Sequence, residues 1–169
     1  MARIRKLSKA SAPRKALIRN QVTALIWCGR IETTITRAKV IRPEAEKLIA
    51  KAIRVYDKNV TVTKSVKDGD NTVEKEFVND SPEKLAVRRQ LMAELYDLPL
   101  EKGEKETKFN YKKRENENKH PVVEKLFREI APKYAEKAKE QGVGGGYTRM
   151  LKLGARRGDA TEKVIVELV

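Results

Sequence analysis

The sequence predicts an α+β fold: a two-layer domain in which helices pack on a small sheet that includes a C-terminal β-hairpin, with a basic arm at the N-terminus. Three observations predict it. Apolar residues recur at helical spacing in several stretches between residues 11 and 141. From Tyr147 to the end, two runs instead alternate apolar and polar residues, the pattern of half-buried strands. The 169 residues, 40% of them hydrophobic, fit a single domain over 1–169, and with aromatics at 5% its core is mostly aliphatic.

Residues 1–12 carry four basic side chains and little periodicity, so alone they form an arm that orders on a charged partner. Ser11 and Pro13 start the first helix, as N-cap and first-turn proline. Leu17, Ile18, Val22, Leu25 and Ile26 share one face of it, and Gly29 suits its C-terminal end. "RIETTI" is rich in β-branched residues and reads as a brief strand. Thr36 is placed to cap the next helix, whose apolar positions are Ala38, Ile41, Ala45, Leu48, Ile49, Ala52 and Ile53. Pro43 inside that pattern either kinks one helix or opens a second segment.

Between 57 and 80 the pattern changes to "VTVTKSV" and "TVEKEFV" around "KDGDN", which predicts a β-hairpin. Ser81 and Pro82 then start a helix that runs through Tyr96 with Leu85, Leu91, Met92 and Leu95 inward. Residues 97–120 are charged and nearly aperiodic, which predicts a long exposed loop. Pro121 opens another helix with Val123, Leu126, Phe127 and Ile130 at good spacing; Pro132 interrupts it, and "KYAEKAKEQG" adds a further turn or two. "YTRMLKL" sets Tyr147, Arg149, Leu151 and Leu153 on one side of a strand and Thr148, Met150 and Lys152 on the other. "EKVIVELV" sets Val164, Val166 and Leu168 on one face, and the basic "GARRGDAT" between them is the turn.

The net charge of +14 is unevenly spread. Residues 1–42 hold eleven basic residues against one acid, Glu32, so +10 of the +14 lies in the first quarter of the chain. Such a concentration points to a phosphate polymer or an acidic membrane surface as partner. Cys28 is the only cysteine, which excludes an intrachain disulfide, and in "ALIWCG" it reads as a small buried hydrophobe. With His120 the only histidine, a Cys/His zinc site is not expected. No apolar run is long enough to span a membrane, and the basic start lacks the apolar core of a secretory leader, so the expectation is a cytoplasmic protein. Catalysis finds no support either. The carboxylates sit in polar segments with no apolar setting to shift a pKa, and no Gly-x-Ser-x-Gly elbow occurs. The expectation is no enzyme, no cofactor, no metal and no small-molecule substrate.

"GGGYTRMLKLGARRGD" tests the remaining options. A P-loop needs Gly-Lys-Ser/Thr before a helix; here Lys152 precedes Gly154 and the flanking pattern is strand-like. A dinucleotide fingerprint fails at its third glycine, where Tyr147 stands. Arg157-Gly158-Asp159 reads as a turn between two strands. An RNA-facing strand fits better: glycines let backbone approach phosphate, Arg149, Lys152, Arg156 and Arg157 supply charge, and Thr148 can hydrogen-bond to a nucleotide. Tyr147 either stacks on a nucleotide or packs in the core.

These residues also carry a family resemblance. "PRKALIRN", "LI" and, one residue on, "CGRIETTITRAKVIRPEAEKLI", then "EKLFREIAPKYA", "GGYTRMLKLGARRGDA" and the final "VIVELV" occur in the order found in the seventeenth protein of the bacterial large ribosomal subunit, which the chain resembles at both ends and through most of the middle. The resemblance implies a structural role in translation and subunit assembly, with large-subunit ribosomal RNA as ligand. It further implies a place on the outer side of the subunit near the nascent-chain exit, with neighbouring large-subunit proteins alongside. The chain departs from the family's usual Met-Arg-His-Arg start, having Met1-Ala2-Arg3-Ile4-Arg5, and has Pro13-Arg14 where His-Arg is common. The family core is shorter, and the extra length falls at 57–80 and 97–120, expected to be outward-facing insertions. The combined readings give a candidate RNA-binding set: Arg3, Arg5, Lys6 and Lys9 in the arm; Arg14, Lys15, Arg19 and Asn20 on the first helix; Arg37, Lys39 and Arg42 on the second; and Tyr147, Thr148, Arg149, Lys152, Arg156 and Arg157 in the C-terminal hairpin.

Overall fold

The apolar stripe of the first helix decides where the core sits. In the computed structural model, which describes residues 5–68, 71–100, 102–104 and 106–169, α1 (Ser11–Cys28) buries Val22, Thr23, Leu25 and Ile26. Its N-cap is Ala10, not Ser11, and no side chain bonds there; Ser11 has already entered the helix. Gly29 ends α1 in the left-handed region (φ 77°) with its N–H on the Leu25 carbonyl at 2.9 Å, the geometry that favours glycine at a helix C-terminus. Cys28, two residues on from buried Ile26, lies on the far side of the helix and is exposed, contrary to its apolar neighbourhood in sequence.

β1 (Arg30–Thr34) leads straight into α2 (Ile35–Ile53), with Thr34 instead of Thr36 in the N-cap place. Pro43 lies within one continuous helix. It faces solvent, while Ala38, Ile41, Ala45, Leu48, Ile49 and Ala52 are buried on the other side. An interior proline costs ~3 kcal/mol, whereas burying one aliphatic side chain contributes roughly 1.5–3 kcal/mol, so packing holds the helix together.

β4 (Thr148–Ala155) and β5 (Glu162–Leu168) form the C-terminal hairpin. β5 also pairs with β1, giving an antiparallel sheet in the order β1-β5-β4. Register sets Ile31, Val166 and Met150 in one row and Thr33, Val164 and Lys152 in the next. Val164 and Val166 are fully buried against the helices, so the inner face of β4 is the one carrying Thr148 and Met150. Leu151 and Leu153 are exposed, at 42% and 51%. Alternation alone leaves the inner face of β4 open; its pairing to β5 decides it.

The 57–80 hairpin forms its own two-stranded sheet, β2 (Asn59–Asp68) with β3 (Asn71–Asp80), paired in register from Asn59↔Asp80 to Asp68↔Asn71. Gly69 and Asp70 of the expected turn lie outside the described residues. α3 (Pro82–Glu94) is capped by Ser81, whose hydroxyl accepts the Lys84 N–H at 3.2 Å. It stops short of Tyr96, and Leu85 is exposed while Leu91 and Leu95 are buried. Residues 108–117, expected as loop, form α4 (Lys108–Glu117), capped by Thr107. Pro132 does not interrupt its helix. α5 (Pro121–Lys125) runs through a π-helical stretch, Leu126–Ile130, into α6 (Ala131–Gln141) with Pro132 in its first turn. The wider π turn just ahead of the proline accommodates a ring that would crowd the carbonyl four residues back.

Candidate nucleic-acid interface

Basic side chains near the N-terminus are left open because the sequence gives them almost no acids to pair with. Arg5, Lys6 and Lys9 are exposed ahead of α1, where a turn sets the Lys9 N–H on the Lys6 carbonyl at 3.1 Å. Lys15 and Asn20 are exposed on α1 and Arg14 is half-buried; on α2, Lys39 is exposed and Arg37 half-buried. Among the described residues none of these cations has an ion-pair partner. Arg3 lies outside the described residues. Arg30, passed over in the sequence, belongs with this group: it is exposed at the start of β1 and equally unpaired among the described residues. Its place inside the basic first quarter was the available signal.

Four candidate arginines are instead engaged by their own chain. Arg19 donates to the Leu95 carbonyl at 2.6 Å and the Met92 carbonyl at 3.4 Å, and its guanidinium lies 4.2 Å from the Tyr96 ring centre. It closes the C-terminal end of α3, where carbonyls lack helical partners. Arg42 donates from Nε to the Thr148 hydroxyl at 3.0 Å and reaches the Thr148 carbonyl at 3.3 Å and Glu46 at 3.5 Å. Arg149 pairs with Glu167 across the hairpin at 2.5 Å. Arg156 pairs with Asp159; its hydrogen bond, then those of Thr161, hold the Asp159 carboxyl well below the usual range.

The hairpin candidates therefore divide. Thr148 is 4% exposed, accepting from Arg42 and donating to Glu46 at 2.6 Å, so its hydroxyl is committed to joining β4 to α2. Tyr147 is half-buried against Tyr134, ring centres 5.0 Å apart, which favours its packing role. Lys152 and Arg157 are exposed and, among the described residues, unpaired. Gly145 and Gly146 hold φ of 116° and 64° with nothing within 4 Å of where a Cβ would stand, so backbone conformation, not crowding, selects glycine there.

The cations left open among the described residues lie on exposed surface of the arm, α1, α2 and the C-terminal hairpin. Among the described residues no cluster of His, Cys, Asp or Glu is arranged to hold a metal ion, and no helix is long and apolar enough to cross a membrane.

A family model described as "Ribosomal protein L17" matches residues 17–169. The chain is 42% identical to the "Large ribosomal subunit protein bL17" of Lachnospira eligens, over all of both chains. It is 38% identical, again over all of both chains, to the protein of that name from Clostridioides difficile. It is 36% identical to the one from Acetivibrio thermocellus, with 98% of each chain covered.

Proposed function

The chain belongs to the bacterial ribosomal protein L17 family, and on that premise we propose that it docks on large-subunit ribosomal RNA through its basic arm, the exposed side of α1, the start of α2 and the β4–β5 turn. The family is a structural component of the ribosome, not an enzyme, and its place is the large subunit in the cytoplasm. The observation that carries the RNA reading is the contrast between two classes of cation. Arg19, Arg42, Arg149 and Arg156 are satisfied within the fold. Arg5, Lys6, Lys9, Arg14, Lys15, Arg37, Lys39, Lys152 and Arg157 are not, among the described residues.

Open cations of this kind neutralise phosphate: arginine pairs with it bidentately, and lysine acts as a point charge. Recognition rests on RNA shape, since side chains cannot read the deep, narrow major groove of A-form helices. The paired arginines serve the interface indirectly, by fixing the elements that present the open ones. Neighbouring proteins of the large subunit complete the proposed set of partners.

Sedimentation of ribosomal particles after a moderate salt wash tests the reading. The chain is expected to remain with the large subunit. Recovery off the particle, as for a free RNA-binding regulator, would overturn it.

A further inference from the structure

Helix α4 carries an aromatic where a solvated helix should be polar. Its inward side is half-buried Tyr111, Arg114 and Asn118, and Arg114 is tied to Glu106 at 2.8 Å, which fixes the helix to the segment before it. The outward side, at positions i, i+3, i+4, i+7 and i+8, is Phe109, Lys112, Lys113, Asn116 and Glu117, which line one shallow groove. Phe109 is 77% exposed, the most exposed large hydrophobic among the described residues. Lys112 and Lys113 are exposed beside it.

We propose that this face of α4 is a second RNA contact, in which Phe109 stacks on an unpaired base while Lys112 and Lys113 hold the flanking phosphates. The inference rests on the ribosomal reading above and adds a site to it. A helix that docks on protein presents several apolar anchors at helical spacing; this face has one. A single aromatic ring with two lysines one turn further along the same face instead matches a nucleotide, which offers a π-face and an anionic backbone. Asn116 adds a donor and acceptor on the same face, and Glu117 marks its acidic limit.

The placement makes the contact independent of the arm. Asn118, just past the end of α4, lines a depression with Trp27 and Lys125, at the C-terminal end of α1. The arm enters at the opposite end of α1, and a helix of 18 residues is about 27 Å long. Two contacts held apart by a rigid helix raise each other's effective concentration on one RNA.

The test uses the full chain with a photoreactive benzophenone amino acid in place of Phe109, incorporated into large subunits and irradiated. Cross-linking to ribosomal RNA is expected. A link only to protein, or no link from chain that sediments with the subunit, would overturn this proposal and leave the ribosomal reading standing. Failure of the chain to sediment with the subunit would overturn both. In titrations with large-subunit ribosomal RNA, Phe109→Ala should weaken binding by about tenfold. Lys112→Ala with Lys113→Ala should reduce the log–log salt slope by about 1.4. Unchanged affinity in both variants, with helix content preserved by circular dichroism, counts against the contact.

Discussion

Arg14 and Arg19 stand five residues apart on α1 and are the same amino acid in the same basic run, yet they have different duties. Arg19 closes the end of α3 through the Met92 and Leu95 carbonyls; Arg14 has no side-chain partner among the described residues. Removing Arg19 leaves those carbonyls without their donor and costs about 2 kcal/mol, the range for a hydrogen bond to a charged group. Arg19→Ala should therefore lower the urea midpoint clearly. Arg14→Ala should change stability by less than about 0.5 kcal/mol but weaken RNA binding in a titration. Equal stability loss in the two variants would contradict this division. At this scale the sequence identifies charge and little else. Whether an arginine is spent or free depends on a carbonyl 76 positions away, and sequence distance carries no trace of that.

At the scale of the element, the β2–β3 hairpin depends on charges gathered at its root. Asp80 meets Lys84 at 3.2 Å and Arg88 at 2.5 Å; Lys84 also reaches the Asn59 side chain at 2.7 Å, and Arg88 continues to Glu124. Desolvation raises the Asp80 carboxyl, but hydrogen bonding and charge from Arg88, then Lys84, outweigh it and bring it below the ordinary value. A carboxyl lowered on folding contributes stability above its unfolded value, near 3.8, and loses it as pH falls through the folded value. Asp80→Asn is expected to cost about 2 kcal/mol at neutral pH, less than a fully buried pair because the site is partly exposed. The difference from the unmodified chain should vanish in strong acid, as urea midpoints at the two pH values would show. A constant difference would mean that the charge is not what matters.

The same scale shows why some elements were legible and one was not. The β2–β3 hairpin announces itself by alternation, and α1 and α2 by their apolar stripes. Helix α4 buries no side chain fully, so it has no stripe to read; a threonine cap and the Arg114–Glu106 tie mark it instead. Pro43 and Pro132 look like breaks locally. Packing on the buried side of α2 overrides the first, and a π turn makes room for the second.

Across the whole molecule, charge is the quantity that binding should report. Neutralising about six phosphates gives a log–log salt slope of about −4 to −5. Replacing Arg5, Lys6 and Lys9 together with alanine should make that slope shallower by about 2 without moving the thermal midpoint, because all three are exposed and make no ion pair among the described residues. A slope near zero for the unmodified chain would remove the electrostatic basis of the docking.

By itself the sequence determined the α+β class, the order of most elements, the aliphatic core and the concentration of positive charge in the first 42 residues. These follow from periodicity and composition, which are local properties of the chain. Only the tertiary structure decided which face of β4 turns inward, that Thr148 and Arg19 serve the fold, and that Phe109 stands in solvent on the same groove as Lys112 and Lys113. Each of those depends on groups brought together from distant parts of the chain, and the desolvation, pairing and register that fix them do not exist until the helices close on the sheet.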